Sequence, residues 1–283
     1  MPSPPKFTLP QRIQREYAAG IRQITGRVLQ PKMPEQSLTD WLKSLAERSK
    51  AQDIQDASAT LASRMVSWTS VANMKTWRAA AAKSTNARKL YGLLQKELTG
   101  TVTGARIATI IRENAAYISS LPLEAAQTLV DEVTKAQQAG ARPGTVQKML
   151  RTRFPELLRS RVALISRTET AKASLALTQA RCADIGVNFA EWMTSEDARV
   201  RPSHKAMDKI IFALDDLPDP EVLHGEPSHG HYGPGGIFNC RCTIAPLLDI
   251  DDVTWPRKVH RHGTLQQMNK QQFITAFNLQ SAA

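Results

Sequence analysis

The sequence is poor in cysteine, in aromatic residues and in long apolar stretches. It contains three cysteines among 283 residues, and 6% of its residues are aromatic. Three cysteines do not build a disulfide framework, which indicates a reducing compartment. No stretch approaches the roughly 20 apolar residues of a membrane span, and the proline-rich opening MPSPPKFTLPQR lacks the apolar segment of a signal peptide. We therefore expect no membrane contact and a location in the cytoplasm where the chain is made.

Several motifs of common enzymes are also missing. The chain has no Walker phosphate loop, no G-x-G-x-x-G, no H-E-x-x-H and no G-x-S-x-G. We therefore assign no catalytic residue and expect a protein that is not an enzyme. The 42% of hydrophobic residues still suffices for at least one core, in a chain long enough for one large or two ordinary domains.

Acidic residues are scarce in the N-terminal half. Residues 1–150 contain 21 Lys and Arg against 11 Asp and Glu, whereas the rest of the chain contains 16 against 15, so nearly all of the net charge of +11 lies in the first half. Between Asp56 and Glu97 no acid occurs, although the segment carries seven cations: Arg64, Lys75, Arg78, Lys83, Arg88, Lys89 and Lys96. Such a run is found on ordinary solvated helix faces, but it also attracts polyanions or acidic protein surfaces. We predict that these seven residues contact double-stranded DNA, without sequence preference, or a protein partner.

The same half of the chain lacks helix breakers. From residue 37 to residue 97 there is no proline and one glycine, and helix-forming residues dominate. Apolar residues at positions 61, 65, 68, 71 (or 72) and 74 follow three-and-four spacing, which predicts an amphipathic helix. Its tryptophans at 68 and 77, together with Trp41, are either core residues or partner contacts.

Proline and glycine divide the remainder of the chain. Breaks at Pro122, at the RPG of 142–144 and at Pro155 predict separate helices over 105–121, 123–140, 145–154 and 156–185, the last of them ending at Gly186. Beyond it, VNFAEWMTS, IIFALDD and FNCRCTIAPLL are typical of short strands, and a terminal helix is predicted from about Thr264. We predict an α+β fold, with a mostly helical N-terminal half and a small α/β domain that has a short antiparallel sheet. The predicted divisions are a basic helical arm (1–144), a domain (145–250) and a tail (251–283).

Polar residues cluster in two motifs of the second half. RTET places Arg167 and Glu169 on the long helix, two positions apart and therefore not on one helix face. SEDARVRPSH packs four more polar residues into eight positions, and its Pro202 suits the first turn of a helix. We predict one polar cluster from both motifs, organised by arginine and carboxylate pairs: Arg167, Glu169, Asp197, Arg199, Arg201 and His204.

The NCRC motif offers a possible metal site. On a strand, Cys240 and Cys242 would face the same side, because side chains alternate with a period of two. Two thiolates are half of a tetrahedral zinc site, which His204, or one of the histidines at 224, 229 and 231, would complete. Paired buried cysteines also serve as small apolar packing residues. Our predicted metal ligands are His204, Cys240 and Cys242; no other cofactor is expected.

These residues also allow two other functions to be considered, those of a hydrolase and of a transcription factor. A metal-dependent nuclease or other hydrolase would use His204, Cys240 and Cys242 with the carboxylates of Glu169 and Asp197. A transcription factor is disfavoured, because the sequence has no helix-turn-helix signature and its basic residues are spread along an arm.

The order of the motifs resembles the phage Mu F-like head-morphogenesis domain. RTE on a helix, GVNFAEWMTS, D-x-R-V-R-x-x-H with a following Met-Asp, and N-C-R-C succeed one another over roughly residues 145–250. One position of this chain differs from the family pattern. Family members commonly have glycine after the H-x-x-x-D segment, where this chain has Lys209. We therefore expect a different turn into IIFALDD.

The resemblance implies a role in a phage particle. It implies a minor capsid protein that associates with the portal and the head interior and that affects procapsid assembly and DNA packaging or delivery. The implied partners are the portal protein, a major capsid or scaffold protein and double-stranded DNA. The implied location is the virion head, and the host cytoplasm during assembly.

Overall fold

The chain divides into two compact units in a computed structural model that describes residues 7–29, 37–82 and 102–279. The helical unit comprises the described residues of 10–68 and 108–170. The sheet unit comprises the described residues of 1–9, 69–107 and 171–283. The divisions predicted at residues 144 and 250 stay predictions. Of the seven predicted contact residues, Lys83, Arg88, Lys89 and Lys96 lie outside the described residues.

Five long helices make up most of the described chain. They are α1 (Gln11–Val28), α2 (Leu38–Lys50), α3 (Gln52–Ala81), α4 (Val102–Gln138) and α5 (Pro143–Ile185). The side chain of Ser37 caps α2 by accepting a hydrogen bond from the backbone N–H of Asp40. In the core of the helical unit Trp41 packs edge-on against Phe154, with ring centroids 5.1 Å apart, so Trp41 is a core residue.

The predicted helix breaks at Pro122 and Pro155 are wrong, because both prolines lie inside continuous helices. A proline removes one backbone hydrogen bond and crowds the preceding turn. Around Pro122, however, Leu121, Ala125 and Ala126 are fully buried, so the apolar face of α4 continues across the proline. Burial of that face offsets the local cost. The end of α5 is as predicted: Gly186 follows it with φ +74°, the left-handed conformation of a helix C-cap.

A five-stranded sheet follows the long helices. Its strands are β1 (Phe189–Met193), β2 (Ile211–Ala213), β3 (Thr243–Pro246), β4 (Arg257–Arg261) and β5 (Thr264–Met268), in the order β3-β1-β2-β4-β5. The short helices α6 (Pro202–Ala206) and α7 (Pro220–Leu223) connect strands, a 3-10 turn spans Ile250–Asp252, and α8 (Lys270–Ala276) follows β5. The predicted α+β fold is confirmed.

Two details of the sheet differ from the prediction. The pair β2–β4 is parallel, so the sheet is mixed rather than antiparallel. The terminal helix begins at Lys270 instead of about Thr264, because Thr264–Met268 pairs with β4 as a strand. Asn269 and Gln272 then form a capping box at the start of α8. Both β4 and β5 lie beyond residue 250 and belong to the same sheet as β1–β3.

Apolar and polar contacts join the end of α3 to the end of α5 within the sheet unit. Trp77 is fully buried and packs edge-on against Phe7, with ring centroids 5.2 Å apart, which makes it a core residue too. Next to it, the guanidinium of Arg181 is buried; it donates to the side-chain oxygen of Asn73 and, over 3.0 Å, to Oγ of Ser70. Asn73 in turn donates to the Oγ1 of Thr178 over 2.7 Å.

The predicted apolar stripe of α3 is only partly buried. Leu61 and Met65 are buried, Trp68 is half-buried beneath Arg64, and Val71 is 69% exposed. Ala72, the alternative to Val71, is half-buried. Within the described ranges, no helix is both long and apolar enough to cross a membrane.

His260 on β4 makes the stability of the sheet unit sensitive to pH. The imidazole is fully buried and contacts the backbone oxygen of Asp216 through Nδ1 at 3.1 Å; the Asp216 carboxylate lies 3.7 Å away. Burial lowers the pKa of His260 below its ordinary value of 6.5, and the positive fields of His231 and His262 add to the shift while Asp216 opposes it. Below pH 6.5 the unfolded chain therefore binds the proton more readily than the folded chain.

We expect His260→Asn to flatten the pH dependence of unfolding. The native protein should lose stability as the pH falls through 6.5 toward the lower pKa of the folded state. The asparagine variant keeps a hydrogen-bonding side chain but does not titrate. Urea unfolding at pH 7.5 and at about pH 5.5 measures the difference, with His262→Asn, at a side chain 78% exposed, as the control. An identical pH slope in His260→Asn and the native protein would contradict the assignment.

Candidate metal site

The three predicted metal ligands come from two segments of the sheet unit. His204 lies in α6, whose first residue is Pro202 as predicted. Cys240 and Cys242 lie in the irregular segment before β3, so their predicted placement on a strand is wrong: pairing with β1 begins only at Thr243. The two thiols nevertheless face the same histidine. All three side chains are buried.

The ligand atoms lie close to one another. The Nδ1 atom of His204 is 3.4 Å from the Sγ atom of Cys240 and 3.6 Å from the Sγ atom of Cys242. All three potential ligand atoms fall within 4.8 Å of one another. The structure thus selects His204 from the four candidate histidines. Metal binding itself stays a prediction.

The other three histidines have different surroundings. The Nδ1 atom of His224 pairs with Glu226 at 2.9 Å, and the Nδ1 atom of His231 contacts the backbone oxygen of Leu217 at 2.9 Å. The ring of His229 packs against the ring of Phe238. Among the described residues, none of the three joins the cluster of His204 with the cysteines.

The second ring nitrogen of His204 faces a polar group that the sequence did not reveal. Nε2 lies 2.8 Å from the hydroxyl of Tyr232 and 3.5 Å from the carboxylate of Glu221. The Tyr232 hydroxyl donates to Glu221 over 2.7 Å, and Ser203 donates to the same carboxylate over 3.3 Å. Glu221 is 2% exposed and Tyr232 is 9% exposed. The group therefore fixes both the position and the orientation of the imidazole.

The pKa values of the groups around His204 are shifted in different directions. The hydrogen bond between the two thiols lowers the pKa of Cys240 and raises that of Cys242, because one shared proton stays on Cys242. The backbone N–H of Gly235 also points at the Cys240 sulfur, 3.3 Å away. Burial, followed by the hydrogen bond to Glu221, raises the pKa of the Tyr232 hydroxyl, which therefore stays protonated as a donor.

Two arginines of the predicted polar cluster, Arg199 and Arg201, lie beside the candidate metal site. A cavity of about 80 Å3 is lined by Arg199 and Arg201 together with all three ligands. Asp197 is held by Arg241 at 2.7 Å and by the backbone N–H of Arg199 at 2.8 Å, and the hydrogen bond from Arg241 lowers its pKa. Arg201 donates to the backbone oxygen of Phe238 over 3.0 Å. Arg241 is thus a member of this cluster that the sequence pattern did not identify.

The other two residues of the predicted polar cluster belong to the helical unit. Arg167 is half-buried and Glu169 is buried in the part of α5 assigned to that unit. Each has interactions of its own, and the Glu169 charge acts on Tyr17, whose pKa is raised chiefly by burial. A single cluster that includes both RTET and the downstream motif remains a prediction.

The described members of the basic run lie on the surface of α3. Arg64, Lys75 and Arg78 are exposed. Arg64 stacks on the ring of Trp68, 5.4 Å from its centroid. Exposure leaves Arg64 and Lys75 accessible to an anionic partner, and the role of the basic run in contacting DNA or protein stays a prediction.

Comparison with known proteins identifies the segment that carries this site. Residues 127–245 match the family model of phage Mu protein F-like proteins. This segment of the chain is therefore similar to phage Mu protein F-like proteins. The resemblance predicted from RTET, DARVRPSH and NCRC is thereby confirmed, and the matched region includes all three metal-ligand candidates.

One curated relative is an uncharacterised protein of Haemophilus influenzae. It is 32% identical over 146 residues, which cover 50% of this chain and 30% of the relative. This chain therefore aligns with less than a third of that protein's length. No solved structure matches the chain.

The position at which the chain departs from the Mu F-like pattern has a backbone that suits glycine. Lys209 adopts φ +61°, in the left-handed region, and its N–H donates to the backbone oxygen of Trp192 over 2.7 Å. This conformation costs a residue with a Cβ atom about 1–2 kcal/mol. Lysine is accommodated because its side chain points into solvent.

We expect Lys209→Gly to raise the free energy of unfolding by about 0.5–1 kcal/mol, since relief of strain exceeds the added entropy of the unfolded chain. Lys205, another exposed lysine four residues earlier in α6, provides the control. Lys205→Gly should lower stability by about 1 kcal/mol. Urea unfolding compares the two variants, and a stability loss of equal size in both would refute strain at residue 209.

Proposed function

We propose that this protein is a minor capsid protein of a phage, acting in head morphogenesis at the portal and in the head interior. The observation that carries the proposal is the Mu F-like family match over residues 127–245. The proposed partners are the portal protein, a major capsid or scaffold protein and double-stranded DNA, and the proposed location is the virion head after assembly in the host cytoplasm. In this role the protein assists procapsid assembly and DNA packaging or delivery.

Incorporation into heads tests the assembly part of the proposal. Heads are produced by expressing phage head genes together with this gene, with and without the portal gene, and are purified by sedimentation. We expect the full chain to sediment with heads and to cross-link to the portal protein, and we expect much less of it in heads made without a portal. Equal amounts in both preparations would exclude portal association, and absence from all heads would refute a capsid role.

Salt-dependent DNA binding tests the proposed nucleic-acid contact. The net charge of +11 and the exposed cations of α3 support a contact with phosphates. We expect the full chain to bind duplex DNA without sequence preference and to release it as salt rises. Arg64→Gln with Lys75→Gln should reduce the slope of log affinity against log salt by about 1 per lost phosphate contact.

The predicted residues beyond α3 are tested in the same assay. A second variant carries glutamine at the four cations of the basic run outside the described residues, namely Lys83, Arg88, Lys89 and Lys96. The control, Lys43→Gln with Lys258→Gln, removes two exposed cations elsewhere in the chain. Loss of affinity equal to that of the control would refute the predicted DNA contacts, as would binding that does not respond to salt.

A metal-dependent hydrolase is a second candidate, favoured by the cavity that borders the three ligand candidates. One of the two carboxylates named for that role is otherwise engaged, because Asp197 pairs with Arg241. Incubating the zinc-loaded full chain with supercoiled plasmid, in the presence and absence of Mg2+, decides between the candidates. We expect the plasmid to stay intact; cleavage that is lost in His204→Gln would establish the hydrolase instead.

A further inference from the structure

Two thiols and one imidazole converge in the sheet unit with the spacing of zinc ligands. Zn–S bonds of about 2.3 Å and Zn–N bonds of about 2.0–2.1 Å at a tetrahedral angle separate sulfur from nitrogen by about 3.5–3.6 Å. The Nδ1 atom of His204 lies 3.4 Å from one sulfur and 3.6 Å from the other. A single ion placed among the three atoms would therefore reach normal bond lengths without rearrangement of the backbone. We propose that His204, Cys240 and Cys242 bind one Zn2+ ion.

The surroundings of His204 match those of a metal-bound histidine. Such a histidine coordinates with one nitrogen and donates its other N–H to a carboxylate or another acceptor, which fixes the tautomer and raises ligand basicity. Here Nδ1 faces the sulfurs, whereas Nε2 faces the Tyr232 hydroxyl and the Glu221 carboxylate. Tyr232 donates its own proton to Glu221, so its oxygen accepts from Nε2–H. Glu221 and Tyr232 are positioning residues, which hold Nδ1 toward the metal.

The donor set selects zinc among common metal ions. Thiolates bind soft or borderline ions and disfavour Mg2+ and Ca2+, which take oxygen ligands, whereas two sulfurs with one imidazole nitrogen suit Zn2+. Both cysteines bind as thiolates, so the proton that the two sulfurs share is released to solvent, and the two thiolates then balance the charge of the ion. The N–H of Gly235, 3.3 Å from the Cys240 sulfur, stabilises that thiolate by a hydrogen bond.

The fourth ligand comes from the adjoining cavity. Of the residues described, no further histidine, cysteine or carboxylate joins the three. The cavity of about 80 Å3 borders all three ligands and holds enough space for water. We assign the fourth position to a water molecule, which a small external ligand can replace. The zinc site then links α6 to the segment that leads into β3, two parts of the matched region that are separated in sequence by β2, α7 and the loop at 224–236.

Metal analysis of the full chain tests the proposal. The protein is purified under reducing conditions, and bound zinc is measured by mass spectrometry before and after incubation with ZnCl2. We expect about one Zn2+ per chain in the native protein and in Cys182→Ala, which removes the buried cysteine outside the cluster. Cys240→Ser, Cys242→Ser and His204→Gln should each lose stoichiometric zinc. Failure of the native chain to bind zinc, or zinc retained in Cys240→Ser with Cys242→Ser, would overturn the site.

Cobalt substitution keeps the test decisive if the ligand variants do not fold. Co2+ bound by two thiolates and one imidazole in the native chain should show thiolate-to-metal charge-transfer bands and intense tetrahedral ligand-field bands. Added azide should alter the ligand-field bands, because it replaces the water. Absence of the thiolate bands would overturn the site itself, whereas a spectrum indifferent to azide would overturn the open fourth position.

Glu221→Gln tests the positioning residues separately. The amide conserves size but binds the Tyr232 hydroxyl and the imidazole less strongly, and we expect zinc affinity to fall by about 10–100-fold. Competition with a chromophoric chelator measures the affinity, while circular dichroism verifies the fold. Unchanged affinity in a folded Glu221→Gln protein would remove Glu221 from the site. Glu226→Gln, at the exposed neighbour that pairs with His224, is the control and should leave affinity unchanged.

Discussion

Replacing Trp192 with alanine is expected to lower the free energy of unfolding of the sheet unit by about 3–5 kcal/mol. Trp192 is fully buried on β1, and its ring meets that of His204 at 5.3 Å and that of Tyr232 at 6.2 Å. Truncation leaves a cavity at the point where the sheet packs against the candidate zinc ligands. Such a cavity costs the transfer energy of the ring and the lost contacts of its neighbours.

Urea unfolding monitored by far-UV circular dichroism measures the effect. Trp68→Ala serves as the control, since Trp68 is half-buried on α3 and truncation there removes far less contact. Trp192→Phe should fall between the native protein and Trp192→Ala, because phenylalanine fills part of the space. Equal losses in Trp68→Ala and Trp192→Ala would contradict the placement of Trp192 in the core.

Replacing Asn73 with leucine should be nearly as damaging, at about 2–3 kcal/mol. The buried guanidinium of Arg181 donates to the Asn73 oxygen, so leucine of similar size leaves a buried charge without that acceptor. It also removes the donor to Thr178, which is fully buried. Asn73→Asp is the matched comparison, because it keeps an acceptor oxygen and adds an opposite charge.

We expect the aspartate variant to retain more stability than the leucine variant in urea unfolding. The difference in free energy of unfolding between the two variants measures the contribution of the acceptor oxygen, because both variants keep a side chain of similar size. A leucine variant as stable as the native protein would show that Arg181 does not depend on Asn73.

The features that were predicted correctly from the sequence are those determined by neighbouring residues. Gly186 ends α5 and Pro202 begins α6, because the conformations of these two residues are set by their own backbones. The predicted breaks at Pro122 and Pro155 failed for the opposite reason. Burial of the helix faces, which depends on residues distant in sequence, outweighs the local preference of proline.

The candidate site, too, could be predicted from the sequence only in part. Side-chain chemistry was enough to predict that the two cysteines pair with a histidine, whereas the structure was needed to select His204 among the four candidates. Glu221 and Tyr232 were not predictable, because no spacing rule relates them to His204, and they meet it only through the packing of α6, α7 and the following loop. The parallel pairing of β2 with β4 could not be predicted from the sequence either, because the two strands are separated along the chain by α7, the loop at 224–236 and β3.

The sheet unit is assembled from stretches of chain that are made at different times. Phe7 packs on Trp77, both join a core with Cys182, and β2 obtains its second neighbour only when β4 has been synthesised. Folding of this unit therefore waits until β4 and β5 have left the ribosome, and its contacts between distant residues slow the final step. Until then β2 has an unpaired edge, which is open to strands of other nascent chains.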